Sequence, residues 1–291
     1  MRILLALLVP AMAVLAVEVR AEETAEEKYD LRYKFTQGET IRWATVHQGA
    51  CTTKMKGHEQ KSLSTSKSTK AWEITSVKDG QITFAYRVDD VEMWQQVGDR
   101  AEERYNSKTD AKPPAAYELV AATVGQTITE AVIDERGNII EREDKFPKYN
   151  PSIGDLVVPL PDHPVAVGEE WFASDEVRVP LKGTVKRVKI RKAFKLEKVA
   201  TGVATISIVT QVLTPVNDPQ LEAQLMQHVT KGVMKFDIDA GRILSRRLDW
   251  NETVLGFEGP DSSMIYLARF TEDLIPAEPR TASATEKAGS Q

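Results

Sequence analysis

The feature that most constrains the fold is a hairpin pattern that occurs twice. "AWEITSVKDGQITFAYRV", Ala71 to Val88, is two alternating runs around a turn at Asp79-Gly80. "AFKLEKVATGVATISIVT", Ala193 to Thr210, is a blurred copy whose turn glycine is Gly202. Alternation at period two puts Ile82, Phe84, Tyr86 and Val88 on one face of a strand, and Ala204, Ile206, Ile208 and Val212 on one face of another. Asp-Gly suits a two-residue hairpin turn in which both central residues take positive φ.

The flanking segments recur in the same order. "QGETIRW" at Gln37 precedes the first hairpin and "VGEEWF" at Val167 the second; "VIDERGNIIERE" at Val132 follows one and "FDIDAGRILSRR" at Phe236 the other. Three matches in one order predict an internal duplication, with a first half over residues 22–150 and a second over 151–275. Arg142 and Arg246 fall at equivalent positions of the two halves and are expected on equivalent strand faces. The first half is longer, and its extra loop is placed at Gly98 to Pro114. Each half carries one helical signal before its last hairpin. In "NDPQLEAQLMQHV", Asp218 reads as N-cap, Pro219 as the first helical residue, and Leu221, Leu225, Met226 and Val229 as one apolar face. "AKPPAAYELVAATVG" is the weaker counterpart, ending by Gly125. "SSMIYLARFTEDL" reads as a final strand. The fold class is therefore mainly β and antiparallel, because the connections are turns and not crossover helices. Two related repeats, each with a short helix, give a pair of half-barrels or one continuous curved sheet. The link "KYNPSIGDLVVPLPDHPVAVG", Lys148 to Gly168, holds four prolines. The stretch 276–291 is small, polar and aromatic-free, and is expected to be disordered.

Residues 1–21 read as a signal peptide: Arg2, an apolar run from Ile3 to Val17, and small residues Val19 and Ala21 before a cleavage site after Ala21. The apolar run is short for a membrane span, which disfavours an uncleaved anchor. No cysteine follows it, which argues against a lipid anchor. The chain is expected to be secreted or periplasmic, with no transmembrane segment after cleavage. Its formal charge is −5; removing Arg2, Arg20 and Glu18 with the leader takes it to about −6. An acidic chain is not what a nucleic-acid partner requires. One cysteine, Cys51, excludes an internal disulfide.

No nucleophile elbow, zinc-protease helix, Walker loop or dinucleotide fingerprint is present, so no catalytic residue and no cofactor are expected. Two constellations could carry binding chemistry. "HQGACTTKMKGH" gathers His47, Cys51, Met55 and His58, the ligand types of soft-metal sites; its spacing matches no copper loop, Lys54 and Lys56 oppose a cation, and a polar hairpin is the favoured reading. "KGTVKRVKIRKAFKLEK" puts Arg187, Lys189, Arg191 and Lys195 on one strand face, opposite Val188, Ile190, Phe194 and Leu196. That stripe is an anion-binding candidate, set against a solvated face paired with acidic neighbours across the sheet, which is favoured.

"YDLRYKFTQGE", "VKDGQITFAYRV", "LPDHPVAVGEEW" and "KFDIDAGRILS" together resemble an uncharacterised family of secreted bacterial proteins, a domain of unknown function frequent in planctomycetes and their relatives. The resemblance covers roughly Tyr29 to Glu258 and implies export and a mostly β fold. It supplies no activity, cofactor or site residue. The function expected on these grounds is non-catalytic binding or carriage of a lipid or other hydrophobic ligand. The alternative is an envelope or extracellular module that binds a partner protein, and third comes a hydrolase with an unrecognised site.

Overall fold

The computed structural model describes residues 26–146, 156–181 and 183–277. The leader, residues 147–155 of the proline-rich link, and the tail from 278 lie outside the described residues. Fourteen strands are found among the described residues. They are β1 (Lys28–Tyr29), β2 (Thr40–Met55), β3 (His58–Lys78), β4 (Gln81–Val97), β5 (Glu103–Asn106), β6 (Thr127–Asp134), β7 (Ile139–Asp144), β8 (Val165–Ala166), β9 (Glu170–Leu181), β10 (Thr184–Ala200), β11 (Val203–Val212), β12 (Lys231–Asp237), β13 (Arg242–Leu255) and β14 (Ser263–Ile275). Two short helices, α1 (Glu118–Ala121) and α2 (Pro219–Leu225), fall where the helical signals are, one per half. Asp218 caps α2, accepting a hydrogen bond from the Gln220 amide, and Pro219 opens it, as the sequence predicts.

Twelve strands form one antiparallel sheet in the order β7-β6-β4-β3-β2-β14-β13-β12-β11-β10-β9, with β5 on β4. Each half is thus a meander, and β14 joins them by pairing with β13 on one side and β2 on the other. Of the two architectures expected, the continuous curved sheet is the one formed. Local geometry recurs between the meanders. The Gly38 amide donates to the Ile74 carbonyl at 2.8 Å, and the Gly168 amide to Leu196 at 2.7 Å. A bulge follows Ile74 in β3 and Leu196 in β10, and the β3–β4 and β10–β11 turns both take positive φ, at Asp79-Gly80 and Thr201-Gly202.

The concave face holds the core. Phe84, Ile133, Phe194, Ile206, Met234 and Phe236 are all buried, from strands of both meanders, in one continuous cluster. Two assignments need correction here. Gly98 to Pro114 is not all loop: Tyr105 must bury its ring, and β5 pairs with β4 to let it stack on Tyr117 at 6.1 Å. The link is also more than a connector, since Val157, Val158, Leu160 and Val165 are buried in the core. An apolar stretch this dense loses more by staying in water than its prolines cost in pairing.

One end of the curl is plugged. Residues Leu31 to Phe35 lie across the last hairpins of both meanders, Tyr33 N–H donating to Glu135 at 2.8 Å and Lys34 N–H to Gly241 at 3.0 Å. The Tyr33 hydroxyl donates to Val158 at 2.9 Å, and its ring meets Phe236 edge-on at 5.7 Å. Trp72 stacks on Phe84 at 4.2 Å beneath it. Truncating a buried aromatic of this kind costs about 3–5 kcal/mol.

Gly137 has φ +81°, and a Cβ there would lie 2.8 Å from Tyr33, 2.9 Å from Val157 and 2.9 Å from the Val158 carbonyl. Gly80, at φ +74°, faces open space. Gly137→Ala is therefore expected to cost about 3 kcal/mol from strain plus overpacking, against about 1 kcal/mol for Gly80→Ala. Equilibrium urea unfolding checks both, and equal losses would show that the plug does not bear on Gly137.

Candidate binding hollow

Between the plug and the helices, the concave face frames a half-open hollow of about 970 Å³, at the upper end of small-molecule sites. It exists because of side-chain size. On β3 the inward positions are Ser64, Ser66 and Ser68; facing them on β2 are Gly49, His47 and Thr45, and beyond Gly49 lies Ala268 of β14. Counted from the shared bulge, the positions of β10 that match Ser66 and Ser68 carry Val188 and Ile190, both buried. Small residues in the middle of a curved sheet leave space that close packing elsewhere does not.

The walls differ in character. β3 and β2 give a polar strip of Ser64, Ser66, Ser68, Thr45 and Lys70. β4 contributes Val88, Val91 and Met93 on one side, and β14 contributes Tyr266 and Phe270 on the other. Tyr117 and Val120 from the α1 region, with Leu156 and Val157 from the link, complete the apolar part. Arg142 and Asp144 of β7 and Asp175 of β9 reach the same hollow. These strands end the ladder on opposite sides, so the sheet curls far enough to bring both edges to one space.

An ionic cluster lies at the floor. Glu272 of β14 is 1% exposed and accepts from Lys70 Nζ at 2.5 Å, and from Arg246 Nε at 2.9 Å and Nη2 at 2.7 Å. Burial pushes its carboxyl up, but the pull of the Arg246 and Lys70 charges and their hydrogen bonds outweighs burial and holds it down at about 2. Lys70 Nζ also lies over the rings of Trp43 and Trp72, at 5.2 and 5.6 Å. Arg142, the positional match of Arg246, is on the same concave face but near the edge, where it pairs with Asp144 at 3.0 Å.

The four soft-metal candidates are held apart, in keeping with the polar hairpin favoured for them. His47 and Cys51 share a face of β2, but four residues of extended strand separate them by about 13 Å, and Met55 is about twice as far from His47. Met55 and His58 face each other across the end of the hairpin. Of the four, only His47 lines the hollow, edge-on to Trp250 at 5.9 Å, with burial lowering its pKa. The basic stripe lies on the other face of the sheet. Arg187 faces Glu176 at 3.5 Å and Lys195 faces Glu197 at 3.7 Å. Arg191 donates to Gln211 at 2.6 Å and covers the Phe172 ring at 4.5 Å, and Lys189 is exposed beside them. His163 does meet carboxylates, Asp162 at 2.6 Å and Glu169 at 2.8 Å, but on an exposed loop and with both ring nitrogens engaged. An imidazole held on both sides by carboxylates is favoured as the cation and offers no lone pair for general-base work.

The polar strip is missing from the residues that sequence reasoning singled out. Its signal is present: "KSLSTSKSTK" alternates serine at Ser62, Ser64, Ser66 and Ser68, in phase with Lys70, Trp72 and Ile74. A charge on the same phase as buried tryptophan marks an ionisable group facing the interior.

No family model and no curated protein matches the chain. Among solved structures it is similar to one described as lipid–protein interactions in lipovitellin, with TM-score 0.45 and 12% identity over 86% of this chain. The chain spans 27% of that protein's length. It is also similar to the translocator domain of the autotransporter NalP from Neisseria meningitidis, with TM-score 0.28 and 8% identity, over 82% of this chain and 89% of that one.

Two outcomes follow from the electrostatics. Because the Glu272 pKa is depressed, its stabilisation is complete above the unfolded carboxyl value near 4.5 and is lost as pH falls toward about 2. Glu272→Gln, which removes the carboxylate between two buried cations, should cost about 3–5 kcal/mol at neutral pH and flatten the acid limb of the stability curve. Urea titrations from pH 2 to 7 read both effects, and an unchanged acid limb would count against the cluster. For His163, whose pKa is raised first by Glu169 and then by Asp162, the contribution is present below 6.5 and lost as pH rises through the folded value. NMR titration of its ring should give a midpoint above 6.5 that Glu169→Gln lowers; a midpoint at or below 6.5 contradicts the contacts.

Proposed function

We propose that the protein is an exported, non-catalytic carrier that holds a hydrophobic small molecule in the hollow of its curved sheet. The observation that carries this is the hollow itself: about 970 Å³ on the concave face, bounded by Val88, Val91, Met93, Tyr266 and Phe270, in a sheet that is otherwise densely filled. A face built for stability alone would carry large side chains on β2 and β3, since every unfilled methylene-sized space there costs about 1 kcal/mol. Apolar side chains on β4 and β14 facing a polar strip on β2 and β3 suit a guest with both an apolar and a polar part. The export part of the reading rests on residues 1–21, and membership of the secreted bacterial family belongs to the same proposal. Nothing in the reading uses His163 or the basic stripe.

The test is occupancy. Native mass spectrometry of the chain exported from a bacterial host and purified without detergent should show an added mass that disappears on denaturation. The neutral fluorophore N-phenyl-1-naphthylamine should bind the delipidated protein. Ser66→Trp, which fills the hollow from its polar strip, should weaken that binding at least about tenfold with the circular dichroism of the sheet unchanged. A delipidated wild type that does not bind the fluorophore, or a filled variant that binds it equally well, overturns the carrier reading.

A further inference from the structure

The polar strip has a direction. Along β3 the inward side chains run Ser64, Ser66, Ser68 and then Lys70, and the next two in phase, Trp72 and Ile74, are buried in the core. Lys70 therefore ends the strip at the floor of the hollow. Beside it the Ser68 and Thr45 hydroxyls lie 2.7 Å apart. The strip is flanked by apolar groups along its length: Val91 and Met93 stand opposite Ser68 and Ser66 on β4, and Phe270 stands opposite His47 on β14.

Lys70 is held where it is. Its side chain is 12% exposed, Glu272 fixes the ammonium from one side, and the Trp43 and Trp72 rings bound it from another. A buried ion pair adds little to stability over apolar side chains of the same volume, so stability alone does not account for a lysine in a wall of Trp and Val. What the arrangement does provide is a positioned ammonium at the surface of a partly desolvated hollow, where an anion gains far more from it than in water. The other charges agree with one head-group position. Arg142 is taken up by Asp144 on its own strand, and the Asp175 carboxylate, at the β9 side, disfavours an anion there.

We propose that the guest is a long-chain amphiphile with a carboxylate head, bound head-first. The head sits at Lys70 beside the Ser68 and Thr45 hydroxyls, and the chain runs out between Val91, Met93 and Phe270. This rests on the carrier reading and adds the class of head group and the orientation. An ammonium has three N–H donors, and a charge-assisted bond to a carboxylate is about twice as strong as one to a neutral hydroxyl. The site therefore distinguishes an acid from an alcohol of equal length.

Equilibrium dialysis of the full, delipidated chain with hexadecanoate and with hexadecan-1-ol tests this. The acid should bind about tenfold tighter or more. Lys70→Gln should remove the difference between acid and alcohol, and Lys70→Arg should restore it. Excess acetate should not displace hexadecanoate. Equal binding of acid and alcohol by the wild type, or a Lys70→Gln protein that keeps the preference, overturns the head-group assignment and leaves the carrier intact. Displacement by acetate makes the floor a small-anion site and also overturns it. Binding of neither compound overturns the head-group assignment, and the fluorophore decides the carrier reading separately. If Lys70→Gln fails to fold, Ser68→Val and Thr45→Val, which leave the Lys70–Glu272–Arg246 cluster in place, decide: each should narrow the preference for the acid, and an unchanged ratio rejects the proposal.

Discussion

The pairing of β14 with β2 is the contact on which the rest of the architecture depends. Two meanders could each form from local hairpins, but nothing local joins them. β14 does so over its whole length, from Ser263 opposite Lys54 to Ile275 opposite Arg42. Its register places Glu272 across from Thr45 on one side and Arg246 on the other, within reach of Lys70. A slip of one residue would turn Glu272 to the solvent face and bury its neighbours in its place. The three-charge cluster thus specifies register: it is satisfied in one alignment and leaves uncompensated buried charge in the next.

From that seam the other features follow. Continuous pairing makes one sheet with one concave side, and a sheet of twelve twisted strands cannot stay flat. Its core-facing side must be covered, and the N-terminal segment and the proline-rich link do this at one end, stitched to both terminal hairpins by Tyr33, Lys34 and Arg136. Small residues on β2 and β3 then leave the middle unfilled. The hollow is the remainder of a packing solution in which one end is closed and the centre is lined by hydroxyls.

Much of the fold could be read from residues whose physics is local. The Asp79-Gly80 turn, the Asp218 cap and the alternation of Ile82, Phe84 and Tyr86 each fix their own neighbourhood, so their strands and helix fall where expected. The site was less legible because it is made by pairing. Ser64 and Gly49 are 15 positions apart in the chain and adjacent in the sheet; Lys70 and Glu272 are 202 apart. Conversely, the His47, Cys51, Met55 and His58 group is close in sequence, and the extended strand pulls it apart. The link looked like a connector because prolines dominate its composition, whereas its valines and leucines decide its place.

The ladder order has a mechanical meaning. β7 and β9 are its two ends, and both contribute side chains to the same hollow without being ladder neighbours. A closed barrel has its girth set by strand number and stagger, so a thicker guest can enter only by breaking backbone bonds. Here the ladder is open: Tyr33 and Lys34 tie the β6–β7 and β12–β13 turns by backbone bonds at one end, and elsewhere the curl can change over many strands without breaking ladder bonds. The sheet is a cuff and not a pipe: its girth is set by curl and not by a closed ring of backbone bonds.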